Sequence, residues 1–189
     1  MRGLMFNYLL EFIEEDFGYG VVDSVIGASG VGNDGSYADG GLYADEDLLS
    51  LMSAAASVLN ISTNELQVLF GHRTFRPIYE KLITIYENNV YKQNKINSAF
   101  DFIVMLDTIH YKEVVKLYPE SIFPYFTLLN RTETELEFMY CSKRNLPYLA
   151  KGLLMGCAEY FKERLLIEMK EQTNEEETYF IIKKALSGS

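Results

Sequence analysis

A strand pattern changes to a helix pattern within residues 138–154, "FMYCSKRNLPYLAKGLL". Tyr140, Ser142 and Arg144 stand at every second position, so in a strand their side chains would share one face. Two hydroxyls and a guanidinium on one face predict a binding site for carboxylates or phosphates. From Pro147 onward the apolar residues follow helical spacing. The stretch therefore predicts a polar trio, Tyr140, Ser142 and Arg144, beside an apolar helix.

Helix patterns precede this stretch, and strand patterns surround its helix. The helical segments are residues 1–17, 21–29, 45–60, 62–75, 96–119 and 147–161. The strand-like segments are residues 125–130, 135–141, 164–171 and 178–184. Ser62 and Glu65 form a capping box. Gly71 is expected to interrupt its helix because a bulky group lies close to it, and Pro77 is expected to start or kink another turn. The order predicts an α+β fold, with a helical N-terminal lobe and a C-terminal, mostly antiparallel sheet with helices.

The composition argues against several classes of function. The formal net charge of -10 argues against nucleic acid or an anionic membrane as the main partner. Hydrophobic residues make up 48% of the chain, which excludes wholesale disorder, and no apolar run is long enough for a membrane helix. The basic, apolar start is followed by Glu11 and Glu14 without a cleavage site, so it predicts a first helix and not a signal peptide. We expect a cytoplasmic protein.

His110 is the more informative of the two histidines. Its neighbours Phe102, Leu106 and Ile109 follow helical spacing, so its imidazole is expected in an apolar setting. There it is either a hydrogen-bonded core histidine or a neutral ligand for iron. Two histidines and two cysteines cannot form a zinc site or a catalytic triad with this spacing. His110 as an axial ligand and the polar trio as a clamp for two propionate groups together predict a heme site.

Five segments occur in an order typical of one family: "MRGLMFNYLLEFIEEDFG", "LYADEDLLSLMSAAASVLNIS", "LFGHRTF", "LDTIHYKEVVKLYP" and "YCSKR". The chain resembles the H-NOX (heme–nitric oxide/oxygen binding) domains of the free-standing bacterial type, which are related to the heme domain of soluble guanylate cyclase. The resemblance covers nearly the whole chain. It implies one domain that encloses heme b, with a helical subdomain over about residues 1–62 and a heme-bearing subdomain over about residues 63–189.

The resemblance also implies roles for single residues. His110 would be the proximal iron ligand, and Tyr140, Ser142 and Arg144 would bind the propionates. Pro124 would press on the heme and distort it, with Ile109 packed on the same side. The distal side would be lined by a set of seven residues, Met5, Leu9, Thr74, Phe75, Ile78, Leu149 and Leu153. The alternative for each apolar residue is that of a core filler.

The residue at position 149 affects which gas the heme would bind. The oxygen-binding relatives carry a distal tyrosine at the position that matches Leu149. Oxygen as a ligand gathers negative charge and gains roughly 1–3 kcal/mol from a hydrogen-bond donor in a dry pocket, whereas nitric oxide gains much less. We therefore expect nitric oxide, and also carbon monoxide, to be favoured over oxygen. Should Tyr148 enter the pocket instead, the protein would bind oxygen.

Signal output is expected through another protein, because the chain ends at Ser189 without a kinase or cyclase domain. Nitric oxide would weaken the bond to His110, and relaxation of the heme against Pro124 would shift the two lobes. In free-standing relatives the partner is a histidine kinase or a diguanylate cyclase, so we expect no enzyme activity in this chain. Some relatives hold zinc with cysteines and a histidine near the C-terminus; neither Cys nor His follows Cys157 here, so no zinc is expected. The rival predictions are a heme-free binding domain and a peroxidase that uses His72.

Overall fold

The computed structural model describes residues 1–86, 96–110, 115, 122–170 and 176–185. Its helices are α1 (Gly3–Phe17), α2 (Tyr19–Ser29), α3 (Asp45–Leu59), α4 (Thr63–Tyr86), α5 (Ala99–Ile109) and α6 (Pro147–Tyr160). Its strands are β1 (Tyr125–Arg131), β2 (Glu135–Cys141), β3 (Leu165–Lys170) and β4 (Glu177–Lys184). The predicted α+β order, with helices first and strands last, is confirmed. Of the helix predicted over residues 96–119, residues 111–114 and 116–119 lie outside the described residues.

The four strands form one antiparallel sheet in the order β1-β2-β4-β3. Side chains alternate between its two faces, and Leu136, Phe138 and Tyr140 of β2 point into the core. On β4, Phe180 lies opposite Phe138 and stacks on it at 5.2 Å. The sheet thus places Tyr140 on a buried face at the end of β2.

Local signals in the sequence account for several helix ends. Gly18 ends α1 with a φ of 94°, a conformation that glycine adopts without strain. The capping box before α4 is confirmed, because Ser62 donates to the Glu65 carboxylate and the Glu65 amide donates to the Ser62 hydroxyl at 3.1 Å. The Ser98 hydroxyl caps α5 by accepting from the Asp101 amide at 3.0 Å.

The expected break at Gly71 is wrong, since α4 is continuous from Thr63 to Tyr86 and passes through Pro77. Gly71 instead allows α4 to cross α6 at very close range. A Cβ at Gly71 would overlap the backbone of Leu149, and one at Gly152 would overlap the backbone of Val68. Both glycines are required by helix packing, which fixes α6 firmly on α4.

Buried apolar residues form two clusters. The first cluster contains residues of α1, α2, α3 and the start of α4, together with Leu146 and Leu149. The second contains residues of α5, α6 and the sheet, together with Phe75 and Tyr79 of α4. Leu153 packs against both. Division of the domain near residue 62 stays a prediction. Among the described helices, none combines the length and apolar composition that a membrane crossing requires.

Candidate functional site

His110 directly follows the last residue of α5. Its imidazole stacks against Phe123, with ring centroids 5.7 Å apart and an interplanar angle of 16°. It also stacks against Phe126, at 5.5 Å and 25°. The preceding residue, Ile109, is buried. The structure therefore places His110 in an aromatic and aliphatic setting, as the sequence predicted.

The setting of His110 keeps its imidazole neutral. Burial lowers the pKa of His110 to about 4, so at pH 7 the ring carries no charge. Its Nδ1 is buried and has no hydrogen-bond partner in the described part of the chain. A core histidine is normally hydrogen-bonded when buried. A neutral imidazole in apolar surroundings has the chemistry of a metal ligand, so the residue fits the axial role.

The polar trio assembles in a way the sequence did not predict. β2 ends at Cys141, so only Tyr140 belongs to the strand, and the expectation of one strand face for all three residues is wrong. Ser142 and Arg144 lie in a turn that the Asn145 amide closes by donating to the Ser142 carbonyl at 3.0 Å. The Arg144 amide donates to the Ser142 hydroxyl at 3.3 Å. The turn, and not the strand period, brings the trio together.

The trio offers hydrogen-bond donors toward an anion. Burial raises the pKa of Tyr140, against hydrogen bonds from Ser142 and the Leu146 backbone and the charge of Arg144. Its hydroxyl therefore stays protonated at neutral pH. Only 13% of the Arg144 side chain is exposed, which brings a fixed positive charge into a mostly enclosed position. Two hydroxyls and a guanidinium fit the two carboxylates of a heme.

Arg144 is held by a residue that the sequence analysis missed. Its Nε donates to Asp45 Oδ2 at 2.7 Å, and its Nη1 donates to the carbonyl of Ile122. Burial raises the pKa of Asp45, but hydrogen bonds from the N-terminal ammonium and from Arg144 outweigh it and hold the pKa below its usual value. Asp45 is an acid in the first turn of α3, and no local sequence pattern pointed to its contact with Arg144. A guanidinium has five N–H donors, so others remain for a carboxylate.

The distal set is divided between the two apolar clusters. Met5, Leu9 and Leu149 pack in the first cluster, and Phe75 packs in the second. Leu9, Thr74, Phe75 and Leu149 are buried, and Met5, Ile78 and Leu153 are partly buried. The Thr74 hydroxyl donates to the Phe70 carbonyl at 2.6 Å, so its proton is already engaged.

Tyr148 and Pro124 are less buried than Leu149. Leu149 belongs to the first cluster, whereas Tyr148, the next residue back on α6, is only partly buried. Pro124 is partly buried between Phe123 and the start of β1. The position of α6 thus turns Leu149 toward the core in preference to Tyr148.

His72 belongs to a different part of the surface from His110 and the polar trio. Its Nε2 is 2.6 Å from Glu159 Oε2, and it lines a surface cleft of about 360 Å³ between α1, α4 and α6. Neither His110 nor any member of the trio lines that cleft.

Cys141 and Cys157 are free thiols. Burial, with the charges of Glu176 and Glu177, raises the pKa of Cys141. In the described residues no three His, Cys, Asp or Glu side chains are grouped to hold a metal ion.

Comparison with known proteins points to one family. The model of the Haem-NO-binding family matches residues 2–169. The unliganded Fe(II) H-NOX mutant A71G from K. algicida has a TM-score of 0.86 and 23% identity, with 99% of this chain and 98% of that chain covered. The S. oneidensis H-NOX in the Fe(II)NO state has a TM-score of 0.84 and 22% identity, with 98% and 99% covered.

A third structure is more similar in sequence. The solution structure of the Shewanella woodyi H-NOX, bound to IWP-051 in the Fe(II)CO state, is 32% identical, with a TM-score of 0.77 and 100% and 97% covered. Curated proteins gave no match. The family model spans most of the sequence, and the solved structures share the whole fold. This chain therefore belongs to the Haem-NO-binding family and is an H-NOX domain, a member of a family of heme-based gas sensors.

Proposed function

We propose that this protein is a ferrous-heme sensor that binds nitric oxide in preference to oxygen, with carbon monoxide as a further ligand, and signals to a separate effector protein. The observation that carries the proposal is the partly buried imidazole of His110, stacked on Phe123 and Phe126, whose buried Nδ1 has no partner in the described residues. Heme b, when bound, supplies an iron atom that takes a diatomic gas. The family match supports heme as the group that this imidazole would bind.

The chain's own residues would hold the group at two ends. His110 is proposed to bind the iron, and Ile109 and Pro124 would pack beside the heme. Tyr140, Ser142 and Arg144 are the proposed propionate ligands, because they present donors at the turn after β2. Although Asp45 balances the charge of Arg144, the guanidinium keeps further N–H donors beside the two hydroxyls, which supports an anionic occupant.

Selectivity for nitric oxide over oxygen would come from the absence of a free hydrogen-bond donor among the distal residues. Their side chains are apolar except Thr74, and the Thr74 hydroxyl already donates to Phe70. Leu149 has no donor, and Tyr148 is not part of the first cluster. A donor is worth roughly 1–3 kcal/mol to an oxygen ligand, or about 10- to 100-fold in affinity. Its absence would disfavour oxygen and leave nitric oxide little affected.

Two contact routes lead away from the proposed heme ligands, one from His110 and one from Arg144. Phe123 and Phe126 connect His110 to β1. Arg144 contacts Ile122 and Asp45, which joins the trio to α3. A change in the bond to His110, with relaxation against Pro124, would therefore be felt in the sheet and in the N-terminal helices. This supports a conformational signal between the two clusters.

The effector is proposed to be a histidine kinase or a diguanylate cyclase. With a formal net charge of -10, the sensor would attract a partner with a basic docking face, mainly by raising the association rate. Binding assays at low and high salt would test this, because electrostatic steering weakens as salt rises.

An optical spectrum of the ferrous protein tests the proposed function. The protein is produced with heme supplied, reduced, and measured first under air and then under nitric oxide. A ferrous spectrum that air leaves unchanged and nitric oxide alters is the expected result. A protein without a Soret band would support the heme-free alternative, and a stable spectrum of an oxygen complex would contradict the selectivity.

A further inference from the structure

We propose that Phe123 and Phe126 are positioning residues for His110, which fix the rotation of its imidazole and thereby the strength of its bond to iron. The inference rests on the proposed function, since it assigns a second layer of residues to the same ligand. It concerns two side chains that the sequence analysis did not single out.

The geometry shows why these rings would control rotation. Both lie nearly parallel to the imidazole, at interplanar angles of 16° and 25° and centroid distances of 5.7 and 5.5 Å. These values lie within the range of favourable offset stacking. Turning the imidazole about its Cβ–Cγ bond would drive a ring edge into Phe123 and Phe126. A planar neighbour therefore restricts this torsion more than a branched aliphatic side chain does.

Rotation of the imidazole needs such control because no hydrogen bond from the described residues supplies it. A histidine that binds a metal usually donates its other ring N–H to a carboxylate or carbonyl, which orients the ring. Here Nδ1 of His110 is buried and has no partner within the described ranges. Packing against Phe123 and Phe126 takes the place of that hydrogen bond.

The two rings are themselves firmly held. Phe126 packs against Phe138 at 6.0 Å and against Tyr140 at 5.6 Å, and both of these are buried on β2. Phe123 follows Ile122, whose carbonyl accepts from Arg144. The pair is thus anchored to the sheet and to the polar trio, so the orientation of His110 is tied to the proposed propionate clamp.

The test compares Phe123→Leu, Phe126→Leu and the double variant with Phe161→Leu, a partly buried ring that packs on Tyr79 and Tyr160 away from His110. The first measurement is the iron–histidine stretching band in the Raman spectrum of the ferrous protein. We expect the band to shift and broaden in the Phe123 and Phe126 variants and to stay unchanged in Phe161→Leu. Phe126→Tyr keeps a flat ring and should restore the original band.

The second measurement uses the heme-free protein. Ring currents from two stacked rings should move the NMR signals of the His110 ring protons away from ordinary values, and each Leu substitution should remove part of this shift. A band that is present and equally sharp in the wild-type and double-variant proteins would overturn the inference and leave the proposed function intact. Absence of the band from the wild-type protein would overturn both.

Discussion

Asp45 Oδ2 accepts a hydrogen bond of 2.7 Å from Nε of Arg144, although the two residues are 99 positions apart. The bond joins the first turn of α3 to the turn after β2. Because Arg144 also donates to the Ile122 carbonyl, its guanidinium is fixed from two sides. The proposed propionate ligand is therefore oriented by the N-terminal helices as well as by its own turn.

Removing the charge of Asp45 should loosen Arg144. For Asp45→Asn we expect the free energy of unfolding to fall by about 1 kcal/mol, a modest value because 34% of the Asp45 side chain is exposed to solvent. Heme should also dissociate faster. Urea denaturation and transfer of heme to an acceptor protein measure the two effects. Glu46→Gln, an exposed acid in the same turn, is the control, and equal losses in both variants would contradict a specific role for Asp45.

The contribution of Asp45 should depend on pH in one direction. Its pKa is lower in the folded state than in the unfolded chain, so folding favours the ionised form. The stabilisation is complete above the unfolded-state pKa and is lost as the pH falls through the lower, folded-state value. The stability difference between wild type and Asp45→Asn should thus be constant near pH 7 and shrink in acid. A difference that grew as the pH fell would contradict this assignment.

Gly71→Ala should disturb the crossing of α4 and α6. The new Cβ would overlap the backbone of Leu149, and helix backbone cannot yield as a flexible side chain can. We expect a loss of about 1–3 kcal/mol in the free energy of unfolding. Gly20→Ala is the control, because it adds a Cβ within α2 where no atom lies within 4 Å. That substitution should be neutral or stabilising, and equal losses would show that packing is not the cause.

Leu149→Tyr should admit oxygen. Leu149 is buried in the first cluster, so a tyrosine there would bring a hydroxyl donor into the proposed distal pocket. Oxygen affinity should rise by about 10- to 100-fold, with little change for nitric oxide. Oxygen titration followed by optical spectroscopy measures this. Met155→Tyr places the same ring on the exposed side of α6 and should have no effect. An unaltered affinity in Leu149→Tyr would mean that position 149 does not face the iron.

Much of the fold could be predicted because its signals are local. The capping box of Ser62 and Glu65 and the glycine at position 18 mark helix ends within a few residues. At Gly71 the expected close neighbour is present but the expected break is not, because a glycine in a helix pattern is compatible with either. The deciding partner, Gly152, lies on a helix far along the chain.

The candidate site was predictable by residue type but not by contact. Tyr140, Ser142 and Arg144 were proposed from their spacing, yet a turn and not the strand assembles them. Asp45, Phe123 and Phe126 carried no local signal, since their contacts depend on how α3 and β1 pack on the rest of the molecule. Such contacts follow from tertiary structure alone.

The role of His110 is tested most directly by His110→Gly, with His72→Gly as the control at the other histidine. After production with heme supplied, the optical spectrum is recorded before and after imidazole is added. Our account predicts that His110→Gly holds heme loosely with an altered spectrum, that imidazole restores it, and that His72→Gly matches the wild type. An unchanged spectrum in His110→Gly without imidazole would contradict it.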